Sequence, residues 1–180
     1  MESSAERWSG NVKKVNKVAT SPKSQIRGLE VSTLQDRLAV GRLLPGDPVP
    51  KWAWSGALAS VTRTRDELSI VCAEDGVPEG VSCERGWRCL SVQGPIAFSE
   101  VGVLASLLTP LAEAGISVFA VSTYETDYLL VKQDALSRAQ EALASWGHVV
   151  HRSPGGGGPP FRGRRRPTTA RVSAAPQRQR

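Results

Sequence analysis

Apolar residues recur along this chain with two different periods, and the switches between them mark its elements. Leu38 to Leu43 alternates as a short strand, and the proline-rich stretch from Pro45 to Pro50 breaks it into a loop. Lys51 to Ser55 allows a short helix stopped by Gly56. Leu58 to Thr64 and Leu68 to Ala73 are β-type runs around Arg65-Asp66-Glu67, which predicts a hairpin. After a turn-rich connection from Gly76 to Gly86, Trp87 to Val92 resumes a strand that ends at Gly94-Pro95. The period then becomes helical, with Val101, Leu104, Leu107, Leu108 and Leu111 on one face and Gly115 as the stop. Pro110 lies inside that helix and predicts a kink or a weakened last turn, because proline removes a backbone donor.

Ile116 to Thr123 and Asp127 to Lys132 pair as a second hairpin around Tyr124-Glu125-Thr126. Asp134 reads as the N-cap of a helix carrying Leu136, Ala139, Leu143 and Trp146, closed by Gly147, and His148 to Val150 as a last edge strand. Residues 87–150 thus run strand, helix, strand, strand, helix, strand. That order predicts an α+β, ferredoxin-like (βαββαβ) sandwich with two helices over one face of an antiparallel sheet. A faint repeat at an offset of sixty sets Val61-Thr62 on Val121-Ser122, Glu67 on Asp127 and Ile70-Val71 on Leu130-Val131. It pairs a shortened first half with a complete second half.

Composition matters mainly at the ends. Residues 151–180 hold eight arginines and no acid among Gly, Pro, Ser, Thr and Gln, and residues 1–28 are polar with six basic and two acidic residues. Neither stretch has the apolar surface to offset its ordering entropy, so both are expected to be disordered basic tails. The central 29–150 holds nine basic and fifteen acidic residues, so the formal +6 of the whole chain resides in its tails. A nucleic-acid reading drawn from net charge alone is therefore misplaced for the centre, although Phe161-Arg162-Gly163-Arg164-Arg165-Arg166 allows weak contact of the C-terminal tail with phosphates.

Three cysteines without a CxxC pair and two histidines suit free thiols in a reducing compartment, not a disulfide framework or a zinc set. The chain has no apolar run long enough to span a bilayer and no secretory leader, which makes the cytoplasm the expected location. There is no GxSxG, P-loop or GxGxxG, and His148 reads as a surface residue, so neither an enzyme nor a cofactor is expected. Trp52, Trp54, Trp87 and Trp146 read as core or rim packing.

The segment GPIAFSEVGVLASLLTPLAEAGISVFAVSTYETDYLLV, from Gly94 to Val131, closely resembles the ACT-domain proteins of the bacterial type related to the eukaryotic CASTOR arginine sensors. WSGALASVTRTRDELSIVCAEDGVP and ERGWRCLSVQGP resemble the N-terminal half of the same family, and the likeness covers roughly residues 34 to 150. It implies a truncated ACT-like half at 29–86 ahead of an ACT domain at 87–150.

The resemblance further implies an amino-acid ligand held where the first strand of a domain meets its first helix, with a neighbouring domain closing the site. The loop Gly94, Pro95, Ile96, Ala97 and Phe98 opening a helix suits a carboxylate, because such a start presents free N–H groups and a favourable dipole. The positions matching the sensors' contacts are Ala97, Glu100, Gly102, Leu104 and Asp127, with Ala97 standing where the sensors have glycine. Glu100 and Asp127 together favour a cationic group on the ligand. Ser60 and Thr62, on the first hairpin, border a site shared between the halves. The expected function is a small-molecule regulatory protein, a homo-oligomer such as a dimer, in which the ligand shifts the arrangement of domains or subunits. A non-binding oligomerisation module and tail-mediated nucleic-acid association are the alternatives.

Overall fold

The computed structural model describes residues 26–151. The two basic tails, and with them the phosphate contact expected of the C-terminal one, lie outside the described residues. Within them the strands are β1 (Glu30–Leu43), β2 (Ser60–Arg63), β3 (Leu68–Ala73), β4 (Cys83–Val92), β5 (Phe119–Ser122), β6 (Asp127–Lys132) and β7 (Val149–His151). The helices are α1 (Val103–Glu113) and α2 (Leu136–Ser145), with 3-10 turns at Lys51–Trp54, Glu74–Gly76 and Gln133–Ala135.

All the strands form one sheet, ordered β2-β3-β1-β4-β6-β5, with β7 paired to β1. β1 starts eight residues before the expected strand, because its first part, Glu30 to Arg37, is too polar to show as an apolar run. That first part is nonetheless central: Val31 lies opposite Val92 of β4 and, on its other side, Val150 of β7. The second part, Leu38 to Leu43, pairs antiparallel with β3 while Leu38 to Gly41 still contacts β4. From β4 onward the order is βαββαβ, as expected, but the last strand joins the sheet beside β1 and not beside β4. β4 runs without interruption through the junction at residues 86–87.

Strand alternation sorts the core into layers. Leu90, Val92, Leu129 and Val131 face α1 and α2, meeting Leu107, Leu111, Ala139 and Leu143. Trp87, Cys89 and Leu130 project from the other face and pack with Leu38, Val71 and Phe119. Ala39, Ile70 and Cys72 are covered by the turn carrying Ala53. The sheet bends so that the β2–β3 hairpin and the β5 edge face each other across the second layer.

Both helices end alike. Gly115, at φ +67°, lets Ile116 N–H reach the Leu111 carbonyl at 2.9 Å, and Gly147, at φ +91°, lets His148 N–H reach Leu143 at 3.2 Å. These are Schellman-type stops, and a residue with a Cβ would resist the left-handed conformation they need. Three expectations are corrected here. Val101 precedes α1 and is 84% exposed, since the left-handed Gly102 turns the chain before the helix starts. Asp134 caps nothing; it lies in the 3-10 turn that leads into α2. His148 is buried, its Nε2 3.2 Å from the Ser106 carbonyl, because the stop at Gly147 folds it back under α1.

Because β1 serves both layers, Leu68→Ala and Leu143→Ala, each removing a fully buried side chain, should each cost about 2–5 kcal/mol and shift one common urea transition. Two separable transitions would show that the sheet's two ends unfold independently. Burial pushes the Cys89 thiol up to about 12 from 9.0. The folded state therefore keeps a proton that the unfolded chain loses, and stability should fall as pH rises from about 9 toward 12. Unfolding midpoints across that window, compared with Cys89→Ala, would check the sign and the assignment.

Candidate functional site

The loop after β4 is built against the β5–β6 turn. Gly94 makes this possible, since a Cβ there would lie 2.7 Å from the Glu125 carbonyl. The Ile96 N–H then donates to that same carbonyl at 2.8 Å, and Thr126 Oγ1 donates to the Val92 carbonyl at 2.6 Å. The turn is closed by Thr123 N–H on the Thr126 carbonyl, also at 2.8 Å. Loop and turn thus form two walls, and the start of α1 forms the third.

Between them lies a cleft of about 300 Å³, lined by Ile96, Ala97, Phe98, Glu100, Gly102, Val103, Leu104 and residues 122–127. At its base α1 begins without a side-chain cap: Gly102 is left-handed, and the first helical bond runs from Ser106 N–H to the Gly102 carbonyl. The amides of Val103, Leu104 and Ala105 therefore have no acceptor within the helix, and the dipole concentrates positive potential there. Two loop donors are already engaged, Ile96 N–H on Glu125 and Glu100 N–H on the Ala97 carbonyl.

The opposite sign comes from side chains. Glu100, Glu125 and Asp127 line the cleft, and no lysine or arginine among the described residues does. Asp127 Oδ1 accepts from Ser122 Oγ at 2.5 Å, which fixes the carboxylate at the junction of β5 and β6. Phe98 from the loop meets Tyr124 from the turn edge to face, with centroids 5.1 Å apart. Both rings are largely exposed, at 78% and 81%, and bridge the two walls. Such a site offers amide donors for an anion at one end, and carboxylates with aromatic faces for a cation at the other.

Of the residues singled out from the sequence, Ile96, Ala97, Phe98, Glu100, Gly102, Leu104 and Asp127 come together here. Gly94 and Pro95 do not line the cleft; Gly94 serves it by admitting the turn. Ser60 and Thr62 lie elsewhere, in a separate cleft of about 190 Å³ with Ser69, Val71 and the strand from Phe119 to Ser122. That cleft lies between the β2–β3 hairpin and β5, and Ser122 lines both clefts. Tyr124 and Glu125 were legible only as turn residues. Their place in the wall follows from the docking of Gly94, which no local pattern announces.

The sequence profile described as "ACT domain" matches residues 82–145, and one described as an N-terminal domain matches residues 36–80. The human cytosolic arginine sensor for mTORC1 subunit 1 is 40% identical over 67 residues, which make up 33% of this chain and 20% of the sensor. The aligned part is thus about a fifth of that protein's length. Among solved structures, protein Atu0741 from Agrobacterium tumefaciens is 39% identical with a TM-score of 0.67, the alignment covering 70% of this chain and 94% of that one. Aspartate kinase from Clostridium acetobutylicum shares the fold alone, with a TM-score of 0.50 and 8% identity over 65% of this chain and 34% of the kinase. Among the described residues no helix is long and apolar enough to cross a membrane. With a relative of this identity matched over nearly its whole length, and with the ACT profile covering β4 to α2 and the cleft they enclose, the chain belongs to the ACT-domain family.

Proposed function

We propose that this protein is a regulatory sensor that binds an amino acid in the cleft between the 94–102 loop and the 122–127 turn, and that the preferred ligand carries a cationic side chain. The observation that supports this most directly is the pairing of an uncapped α1 N-terminus with three carboxylates in one cleft. The α-carboxylate of the ligand takes the amides at Val103 and Leu104, and its distal cation lies between Glu100, Glu125 and Asp127 beneath the Phe98–Tyr124 pair. The similarity to a protein named a cytosolic arginine sensor points the same way, and the cytosol is the location proposed with it.

The cleft is open toward solvent, and the exposed Phe98, Val101 and Tyr124 stand at its mouth. A second copy or a further domain closing over them would exclude water and strengthen the charge pairing. Regulation then follows from differential affinity: a ligand that binds the closed arrangement more tightly shifts the population toward it. Removal of the basic C-terminal tail is expected to leave amino-acid binding intact, because the described residues that line the cleft all lie between Ile96 and Asp127.

A thermal-shift series on the full chain separates the parts of this reading. L-arginine at a hundredfold excess over its Kd should add about 2.7 kcal/mol of stability, seen as a rise in melting temperature. Agmatine, which lacks the carboxylate, and L-citrulline, which lacks the charge, should each bind at least about tenfold more weakly, as expected for the loss of a charge-assisted hydrogen bond. Glu100→Gln with Asp127→Asn should erase the preference for arginine over citrulline while leaving the apo melting temperature nearly unchanged. A flat response to arginine and to every other proteinogenic amino acid would leave the fold serving only as a pairing module.

A further inference from the structure

Pro110 sits in the body of α1, and proline at that position has consequences four residues earlier. It supplies no N–H to the Ser106 carbonyl, and its ring pushes that carbonyl out of line with the helix axis. Ser106 is buried, at 3% exposure, so an unpaired carbonyl there would be costly. The carbonyl does have a partner: His148 Nε2, from beyond the other helix, lies 3.2 Å away. His148 is itself only 5% exposed, and its backbone is fixed by the bond from its N–H to Leu143 at the end of α2. Since a carbonyl can only accept, Nε2 is the donor in this contact. Nδ1 is buried and without a hydrogen-bond partner among the described residues, so Nε2 makes the ring's polar contact.

We infer that His148 is the surrogate donor for the carbonyl that Pro110 leaves open, and that this bond acts as a positioning contact for α1. The bond ties the middle of α1 to the stop of α2 and the start of β7. Ser106 lies in the same first turn of α1 as Val103 and Leu104, which line the cleft. His148 therefore acts on the site through the helix, without touching it. This second part rests on the ligand reading above; the first does not.

The test is a four-way comparison of the wild type, His148→Ala, Pro110→Ala and the double variant, each as the full chain. In urea, His148→Ala should lower the folding equilibrium constant about tenfold or more in the Pro110 background. In the Pro110→Ala background the loss should be about tenfold smaller, because the backbone N–H gained at position 110 then takes the Ser106 carbonyl. His148→Gln, which keeps an N–H donor at similar reach, should recover most of the loss, and His148→Asn, whose donor is shorter, should not. This pair also keeps the test decisive if the alanine variant fails to fold. A residue that merely fills space would cost the same with either residue at 110, and that result would overturn the bond.

For the second part, L-arginine affinity should weaken several-fold in His148→Ala and recover in the double variant. Equal affinity in all four proteins would overturn the positioning role while leaving the bond. If wild type fails to bind L-arginine or any other proteinogenic amino acid, the ligand reading falls and takes the positioning role with it, and the urea comparison still decides for or against the bond.

Discussion

A single strand serving three neighbours constrains the rest of this structure. β1 pairs with β3, β4 and β7, and its two parts lie under different covers: Val31 beneath the two helices, Ala39 beneath the turn at Lys51–Trp54. Shifts of register between Thr33 and Arg37, and again between Leu38 and Val40, let one strand pass from the first environment to the second. Such irregularities bend a strand and increase its twist. Here the bend brings the β2–β3 hairpin round to face β5, enclosing the layer of Leu38, Trp87, Cys89 and Leu130. The shortened first half is thus an extension of one sheet, with part of its apolar surface covered by the second half.

The cleft depends on that arrangement through β4. β4 is held between β1 and β6, and Gln93 N–H donates to the Glu30 carbonyl, so the end of β4 is anchored to the start of β1. From that fixed point the chain passes through Gly94 against the carbonyl of Glu125 and returns to start α1 at Gly102. The cleft walls are held by backbone bonds at Ile96, Glu100 and Thr123. A site fixed in this way can hold its amide donors toward a ligand at little ordering cost.

Much of this was legible beforehand, and what was missed has physical reasons. The continuous apolar run Leu129-Leu130-Val131 and the helical spacing of Leu104, Leu107, Leu108 and Leu111 mark elements packed mostly against apolar partners, so the βαββαβ order could be read directly. The first part of β1 could not, since Thr33 and Gln140 satisfy each other inside the core and leave no apolar signature. His148 was misread for a similar reason: the stop at Gly147 folds it under α1 to the carbonyl of Ser106, forty-two positions away in sequence, a contact that only three dimensions bring near. Glu100, Gly102 and Asp127 were singled out through family resemblance, whereas the wall formed by Tyr124 and Glu125 needed the contact at Gly94. Ser60 and Thr62 were expected to border the ligand site, but they line the neighbouring cleft, because hairpin periodicity gives a face and not a distance.

The chemistry available in the cleft bears on what this ACT domain can do. Groups whose protonation is displaced by burial, Cys72, Cys89 and Tyr128, are all pushed upward, toward the neutral form, and none lines the cleft. The cleft instead presents helix-start amides, carboxylates and two exposed rings, the groups to which the proposed reading assigns a zwitterion with a distal cation. Three carboxylates lining one cleft attract a cation that enters it. Binding energy of this kind is largest when water is excluded, and the exposed rings at the mouth supply the apolar surface that a covering partner would bury. In the proposed reading recognition and closure would reinforce each other, which is the coupling a ligand needs in order to change an assembly and not merely occupy it.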